Sequence, residues 1–315
     1  MKTKERILII RPGALGDTLM LLPSLISLKE IYEITVVGRS PGIDYLKPYI
    51  FRGIDYEASV WHRLFLQQDV NTLPVKLEPE KVVAFLADPE KIAGKNLRAW
   101  FPDTGVHLFK PFPEKSVNIH TSLYISICIK NTGIDMDPEN CLKRASEMPL
   151  LAPQVGKSNK SRIVIHPGSG SKKKNYAPGF WIKLIESLRD EHLPNNLRII
   201  LLLGPAEEES LSYYRENMRG DDAEILFHPE RETLLNELCS SILFIGHDSG
   251  ISHLAAMLGV SVIAFFKNSS VTQWKPLGPK VDVISGINNE SDLFRSLRKS
   301  AASALAAGRL NLLTQ

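Results

Sequence analysis

Three short stretches of the chain combine glycine, hydroxyl, carboxylate and cationic side chains at spacings suited to anion binding or proton transfer. The first is Gly13-Ala-Leu-Gly16-Asp17. It follows a short apolar run and precedes a segment with helical spacing, so it occupies a strand-to-helix turn. In open α/β sheets, ligands bind beyond the carboxyl ends of the strands. Glycine lets a ligand approach the backbone, and a helix N-terminus offers N–H donors. Asp17 has two readings. It is a first-turn acid that caps its own helix, or a carboxylate at the mouth of a cleft that takes a proton from an alcohol. A dinucleotide site is excluded: the spacing is GxxG rather than GxGxxG, and the second strand ends in Gly38-Arg39 without a ribose-binding acid. The Walker spacing is absent as well.

The second stretch is His166-Pro-Gly-Ser169-Gly-Ser-Lys-Lys-Lys174. A Gly/Ser turn followed by lysines holds phosphate through backbone N–H groups, hydroxyls and cationic heads. Taken alone it reads equally as a solvated basic loop. The third is Gly246-His-Asp248-Ser249-Gly250-Ile-Ser-His253. Asp248, Ser249 and Gly250 stand at an expected helix start, where unpaired N–H groups and the helix dipole favour an anion. His253 lies about one turn further in and faces the same ligand in this reading; the alternative is a capped helix with a core histidine. A Ser-His-Asp hydrolase is disfavoured, because no GxSxG elbow is present and one turn cannot supply the whole relay. The histidines show no HExxH or related metal spacing.

The elements that must carry these turns follow from periodicity. Residues 7–10 form a continuous apolar run, expected as a strand buried on both faces. Residues 18–30 have helical spacing, and 34–38 and 81–86 read as further strands of one parallel sheet. The stretch 88–112 has no clean period and reads as loops and short helices, followed by a helix over 118–130. A stretch at 149–160 in which Pro, Gln, Gly, Ser, Asn and Lys dominate marks a linker. A second series follows: strands at 162–166, 197–203, 243–246 and 260–266, and helices at 179–190, 206–218, 251–258 and 291–310. The expectation is two doubly wound α/β domains, residues 1–155 and 156–290, with a final helical segment at 291–315.

Bulk properties agree with that plan. The 315 residues suit two domains. Apolar residues at 43% and charged residues at 23% are ordinary for a folded chain. A net charge of +3 is too small to argue for nucleic acid. Three cysteines without CxxC spacing argue against a disulfide framework or a structural zinc site. The opening MKTKERILII has too short an apolar run for a signal peptide, and no run reaches a membrane span. A cytoplasmic location with at most peripheral membrane contact is expected.

Taken in order, the motifs resemble glycosyltransferase family 9, the ADP-heptose:lipopolysaccharide heptosyltransferases. Arg11-Pro-Gly-Ala-Leu-Gly-Asp17 with Leu22-Pro23 looks like the opening signature. His166-Pro-Gly-Ser with Lys174 looks like the central motif. Asp248-Ser-Gly-Ile-Ser-His253-Leu-Ala-Ala and then Trp274-Lys-Pro-Leu-Gly278 look like the closing ones. The resemblance implies a GT-B fold, two Rossmann-like domains facing across a cleft, with the last helix crossing back to the first domain. It implies inverting transfer of a sugar, heptose from ADP-heptose, onto a lipopolysaccharide-core or related glycan. The alternatives are another nucleotide sugar, or a non-catalytic relative that binds one. Asp17 would be the base and Lys174 would contact the donor phosphates. Gly13, Gly16, Ser169, Asp248, Ser249, Gly250 and His253 are the expected phosphate- and donor-binding positions, and His120 an acceptor-side one. No metal or other cofactor is expected, since the cationic side chains do a metal's work. The partners would be a nucleotide-diphosphate sugar and a glycolipid or glycan acceptor, with contact at the cytoplasmic face of the inner membrane. Two positions depart from the family pattern: Tyr176 where tryptophan is usual, and Lys267-Asn-Ser269 where Gly-Pro-Thr is usual.

Overall fold

The computed structural model describes residues 4–57, 60–67, 76–87, 91–114, 116–152, 161–190, 197–219, 223–287 and 290–313. The chain divides into two compact units, 1–144 and 145–315. The division falls earlier than the expected boundary at 155, a position outside the described residues. Leu150 and Leu151 both donate their amides to the Met257 carbonyl, at 2.8 and 3.0 Å. They are therefore fastened to the second unit although they lie within the stretch read as a linker.

In the first unit the strands are β1 (Glu5–Ile10), β2 (Tyr32–Gly38), β3 (Arg52–Asp55), β4 (Lys81–Phe85) and β5 (Gly105–Phe109). The helices are α1 (Leu15–Leu19), α2 (Leu22–Leu28), α3 (Ile92–Trp100), α4 (Thr121–Lys130) and α5 (Pro138–Glu147), α5 ending past the division. The sheet order is β3-β2-β1-β4-β5, parallel throughout. Ile7 to Ile10 are buried, as the unbroken apolar run predicts for a central strand. The single helix expected over 18–30 is two helices. Pro23 stands in the first turn of α2 and has no N–H to return to Leu19, so the ladder breaks there. The stretch 88–112, expected without a strand, contains α3 and β5. Edge strand β5 is only partly buried and alternates Val, His, Leu and Phe, a short pattern masked by its flanks. Gly133, at φ 85°, ends the α4 segment in the left-handed conformation that glycine adopts without strain.

In the second unit the strands are β6 (Arg162–His166), β7 (Arg198–Leu203), β8 (Glu224–Phe227), β9 (Ser241–His247), β10 (Ser261–Phe266) and β11 (Val281–Ser285). The helices are α6 (Pro178–Asp190), α7 (Leu211–Asn217), α8 (Arg231–Cys239), α9 (Gly250–Met257), α10 (Val271–Trp274) and α11 (Glu290–Leu313). The order is β11-β10-β9-β6-β7-β8, again all parallel. Both sheets therefore start in the middle and wind outward in opposite senses. Each has a switch point where the loops after two neighbouring strands diverge: β1 and β4 in one, β6 and β9 in the other. Strand β9 is buried along its whole length. Helix α11 buries Leu293, Leu297 and Ala301 in the core of the second unit. No helix among the described residues is long and apolar enough to cross a membrane.

Candidate active site

In the first unit the turn after β1 is built around Arg11. Its guanidinium is buried directly beyond the apolar strand. Nε donates to the Asp17 carbonyl at 2.8 Å and Nη1 to the Pro111 carbonyl at 2.8 Å. The rings of Phe85 and Phe112 each lie 5.4 Å from its central carbon. Burial lowers its pKa to about 10, against the pull of Asp17, so the group stays cationic at neutral pH. Arg11 thus joins the β1 turn to the loop after β5. Sequence reading placed Arg11 in a motif but gave it no role; a cation closing a four-residue apolar run was the available signal. Arg11→Met should cost about 1–3 kcal/mol, because two carbonyls lose a charged donor. Urea unfolding checks this, and an unchanged midpoint would mean that the carbonyls find other donors.

Asp17 is half-buried in the first turn of α1, and its Oδ2 accepts the Ala14 amide at 3.0 Å. The capping reading is therefore real. It engages one carboxylate oxygen, Oδ2. A Cβ on Gly13 would stand 2.5 Å from the Asp17 Cβ. Gly13 is thus needed by Asp17 itself, to let that side chain fold over the turn. Gly16 lies inside α1. His120 caps α4, its Nδ1 accepting the Ser122 amide at 3.1 Å. The Ser122 hydroxyl reaches the Met20 carbonyl at 2.8 Å, so α4 is pinned to the end of α1.

The second-unit site is assembled by the β6/β9 switch point. Register pairs His166 with Gly246, so the two loops leave the sheet side by side. Gly246 has no room for a side chain: a Cβ would lie 2.9 Å from the Phe244 ring and 3.0 Å from the His166 carbonyl. The loop after β6 makes a single 3₁₀ turn, Lys172–Lys174. Lys174 Nζ then meets Asp248 Oδ2 at 2.6 Å. His253 Nε2 stands 3.8 Å from Asp248 Oδ1, beyond hydrogen-bond length. Burial pushes the Asp248 carboxyl up, but His253, Lys174 and Ser269 outweigh it and hold the pKa at about 2. Asp248 is therefore an anion that neutralises one lysine of the triplet. Lys172 pairs instead with Glu209 at 2.6 Å, both side chains 80% exposed, a contact worth little in water.

Ser249 caps α9 through its hydroxyl, which accepts the Ser252 amide at 3.3 Å. The Ser252 hydroxyl donates to the His247 carbonyl. Gly250 is the first residue of the helix. The Ser169 hydroxyl donates to Asn175 Oδ1 at 2.6 Å, so it ties the Gly/Ser turn to the residue after Lys174. Beside this turn opens a cavity of about 500 Å³, lined by Ser169, Ser171, Asn175, Pro205, Glu208 and Glu209. Beneath it His247 is fully buried, and burial with the nearby His166, Lys267 and Lys174 lowers its pKa to about 3. It is neutral, and Nε2 accepts the Tyr176 amide at 2.9 Å, which puts its proton on Nδ1. Tyr176 stacks on the same imidazole, centroids 5.2 Å apart. Tyr176 thus places an aromatic ring against the buried histidine. Sequence reading missed His247 and Asn175 as supports, since their roles depend on pairing across the switch point.

Of the expected positions, Ser169, Lys174, Asp248, Ser249, Gly250 and His253 gather at the carboxyl edge of the second sheet. Gly13, Gly16, Asp17 and His120 belong to the first unit. Among the described residues no group of three or more His, Cys, Asp or Glu side chains is placed to hold a metal ion.

Two sheets wound in the same order, each with a glycine turn beyond its switch point, define a two-unit doubly wound α/β protein. Residues 122–301 match the model of glycosyltransferase family 9 (heptosyltransferase), and the chain belongs to that family. E. coli ADP-heptose lps heptosyltransferase II is similar in structure, with a TM-score of 0.72, 17% identity, and coverage of 96% of this chain and 99% of that one. E. coli heptosyltransferase WaaC with ADP gives 0.65 at 14% identity, covering 94% and 99%. The fold is the α/β fold of those structures. A Haemophilus influenzae protein described as "Putative glycosyltransferase" is 29% identical over 126 residues, 38% of this chain and 35% of that one. The match thus spans about a third of that relative's length.

Proposed function

We propose that this protein is an inverting glycosyltransferase that takes a sugar from a nucleoside-diphosphate donor. The observation that carries the reading is the Lys174–Asp248 pair beside the capped N-terminus of α9, both at the switch point of the second sheet. A departing nucleoside diphosphate accumulates negative charge. A lysine and a helix N-terminus oppose that charge more in the transition state than in the ground state. Asp17 removes the proton from the acceptor hydroxyl. In this reading the cations of the lysine turn do the work of a metal, so no divalent ion is required. The family and the solved E. coli heptosyltransferases support ADP-heptose as donor and a lipopolysaccharide-core or related glycan as acceptor. The enzyme then works at the cytoplasmic face of the membrane that holds the acceptor.

The test is release of nucleoside diphosphate from a panel of ADP-, UDP- and GDP-sugars, each with and without a chelator. ADP-heptose should be consumed, with or without chelator, once a lipopolysaccharide-core acceptor is added. Turnover with a different nucleotide would move the donor assignment, and binding without turnover for any acceptor would favour a non-catalytic relative.

A further inference from the structure

The residues that depart from the family pattern after β10 touch the lysine turn directly. Asn268 Nδ2 donates to the Lys173 carbonyl at 2.7 Å. Lys267 Nζ reaches the Asn175 carbonyl at 3.5 Å and sits 5.4 Å from the centre of the Tyr176 ring. Two neighbouring residues of one loop thus hold two carbonyls of another, ninety-odd positions away in the chain. The near end of the turn they hold is braced by Ser169, whose hydroxyl accepts the Ser171 amide at 3.3 Å and donates to Asn175 Oδ1 at 2.6 Å. Within it, the Lys174 amide bonds to the Ser171 carbonyl at 2.9 Å and the Asn175 amide to the Lys172 carbonyl at 3.2 Å. It also carries three adjacent lysines, of which Lys172 meets Glu209 and Lys174 meets Asp248, both at 2.6 Å. Below Lys174 the chain is anchored by the Tyr176 amide on His247. At Lys173, midway through the turn, Asn268 supplies the contact with the body of the unit.

We infer that Asn268 is a positioning residue: by holding the Lys173 carbonyl it fixes the turn in the form that points Lys174 at Asp248, with Lys267 as a second tether. A side-chain amide is suited to this because it donates to a carbonyl without adding another positive charge. The inference deepens the reading of this site as a diphosphate site and rests on it only for the binding arm of the test. It predicts that loosening the turn acts through Lys174 and through no other group.

Two measurements test it on the full-length protein. The first needs no ligand. Acylation of Lys174 by a water-soluble N-hydroxysuccinimide ester, followed by peptide mass spectrometry, reports how firmly the amine is held. Asn268→Ala and the near-isosteric Asn268→Leu should both speed labelling of Lys174 by about three- to tenfold, the loss of one hydrogen bond. Labelling of Lys183 on α6 should stay constant. The second is calorimetric ADP binding in a double-mutant cycle. Asn268→Ala should weaken ADP by a similar factor in the native background and have no effect in Lys174→Ala. Unchanged Lys174 labelling, or ADP losses that add in the double variant, would overturn the inference. If the unsubstituted protein fails to bind ADP, the functional reading falls, and the labelling arm still decides the positioning role.

Discussion

Asp17→Asn should lower turnover at least ~10²-fold, the lower range of what a general base contributes, while folding stability changes little. The contrast separates the two roles that the structure leaves to this residue. As a cap, Asp17 uses Oδ2 to accept the Ala14 amide at 3.0 Å. Asparagine keeps an acceptor oxygen at that position, so the cap survives. The Arg11 bond goes to the backbone carbonyl of residue 17 and is indifferent to the side chain. What asparagine cannot do is accept a proton from an alcohol. Asp17→Ala should show the same kinetic defect plus a loss of about 1 kcal/mol from the missing cap. Steady-state kinetics and urea unfolding on the same preparations check both. Normal turnover in Asp17→Asn would falsify the base and leave a capping residue only.

Much of this was readable in the residues because the signals were local. Ile7 to Ile10 are β-branched or long apolar residues, unbroken for four positions, and they form the centre of a sheet. The turns after β1, β6 and β9 were visible because glycine, serine and aspartate gather where a strand yields to a helix. Strands β3, β5, β8 and β11 were not identified, and each lies toward the outside of its sheet. An outer strand is half-solvated, so its four or five residues need no apolar run, as Glu224–Phe227 illustrates. Pro23 carried the break between α1 and α2 in plain sight, but apolar spacing on both sides concealed it. The supports of the site were the least legible. Asn268 meets Lys173, and Tyr176 meets His247, only because the winding order places the loops after β6, β9 and β10 at one edge. No spacing within a single segment encodes such a meeting.

The same edge gives the other large effect. Lys174→Ala should weaken both nucleoside-diphosphate affinity and turnover, since the lost cation acts on the bound donor and more strongly on the charge of the transition state. It should also leave a signature in stability that depends on pH in a definite direction. In the native protein the Asp248 pKa falls from 3.8 to about 2, which corresponds to about 2 kcal/mol of stability. The folded value lies below the ordinary one. The contribution is therefore complete above about pH 4 and is lost as pH falls toward 2. Burial is the largest influence on this carboxyl and acts in the opposite direction. Without Lys174 burial is less opposed, the pKa rises and the stabilisation shrinks. The gap in melting temperature between the native protein and Lys174→Ala should be widest near neutral pH and should close as pH falls through that window. Lys172→Ala is the control. Its partner Glu209 is as exposed as the lysine itself, so the melting temperature should not change measurably at any pH. A gap that stayed constant down to pH 2, or that appeared in Lys172→Ala instead, would break the link between this lysine and Asp248. The diphosphate site would then have to be sought elsewhere on the second unit.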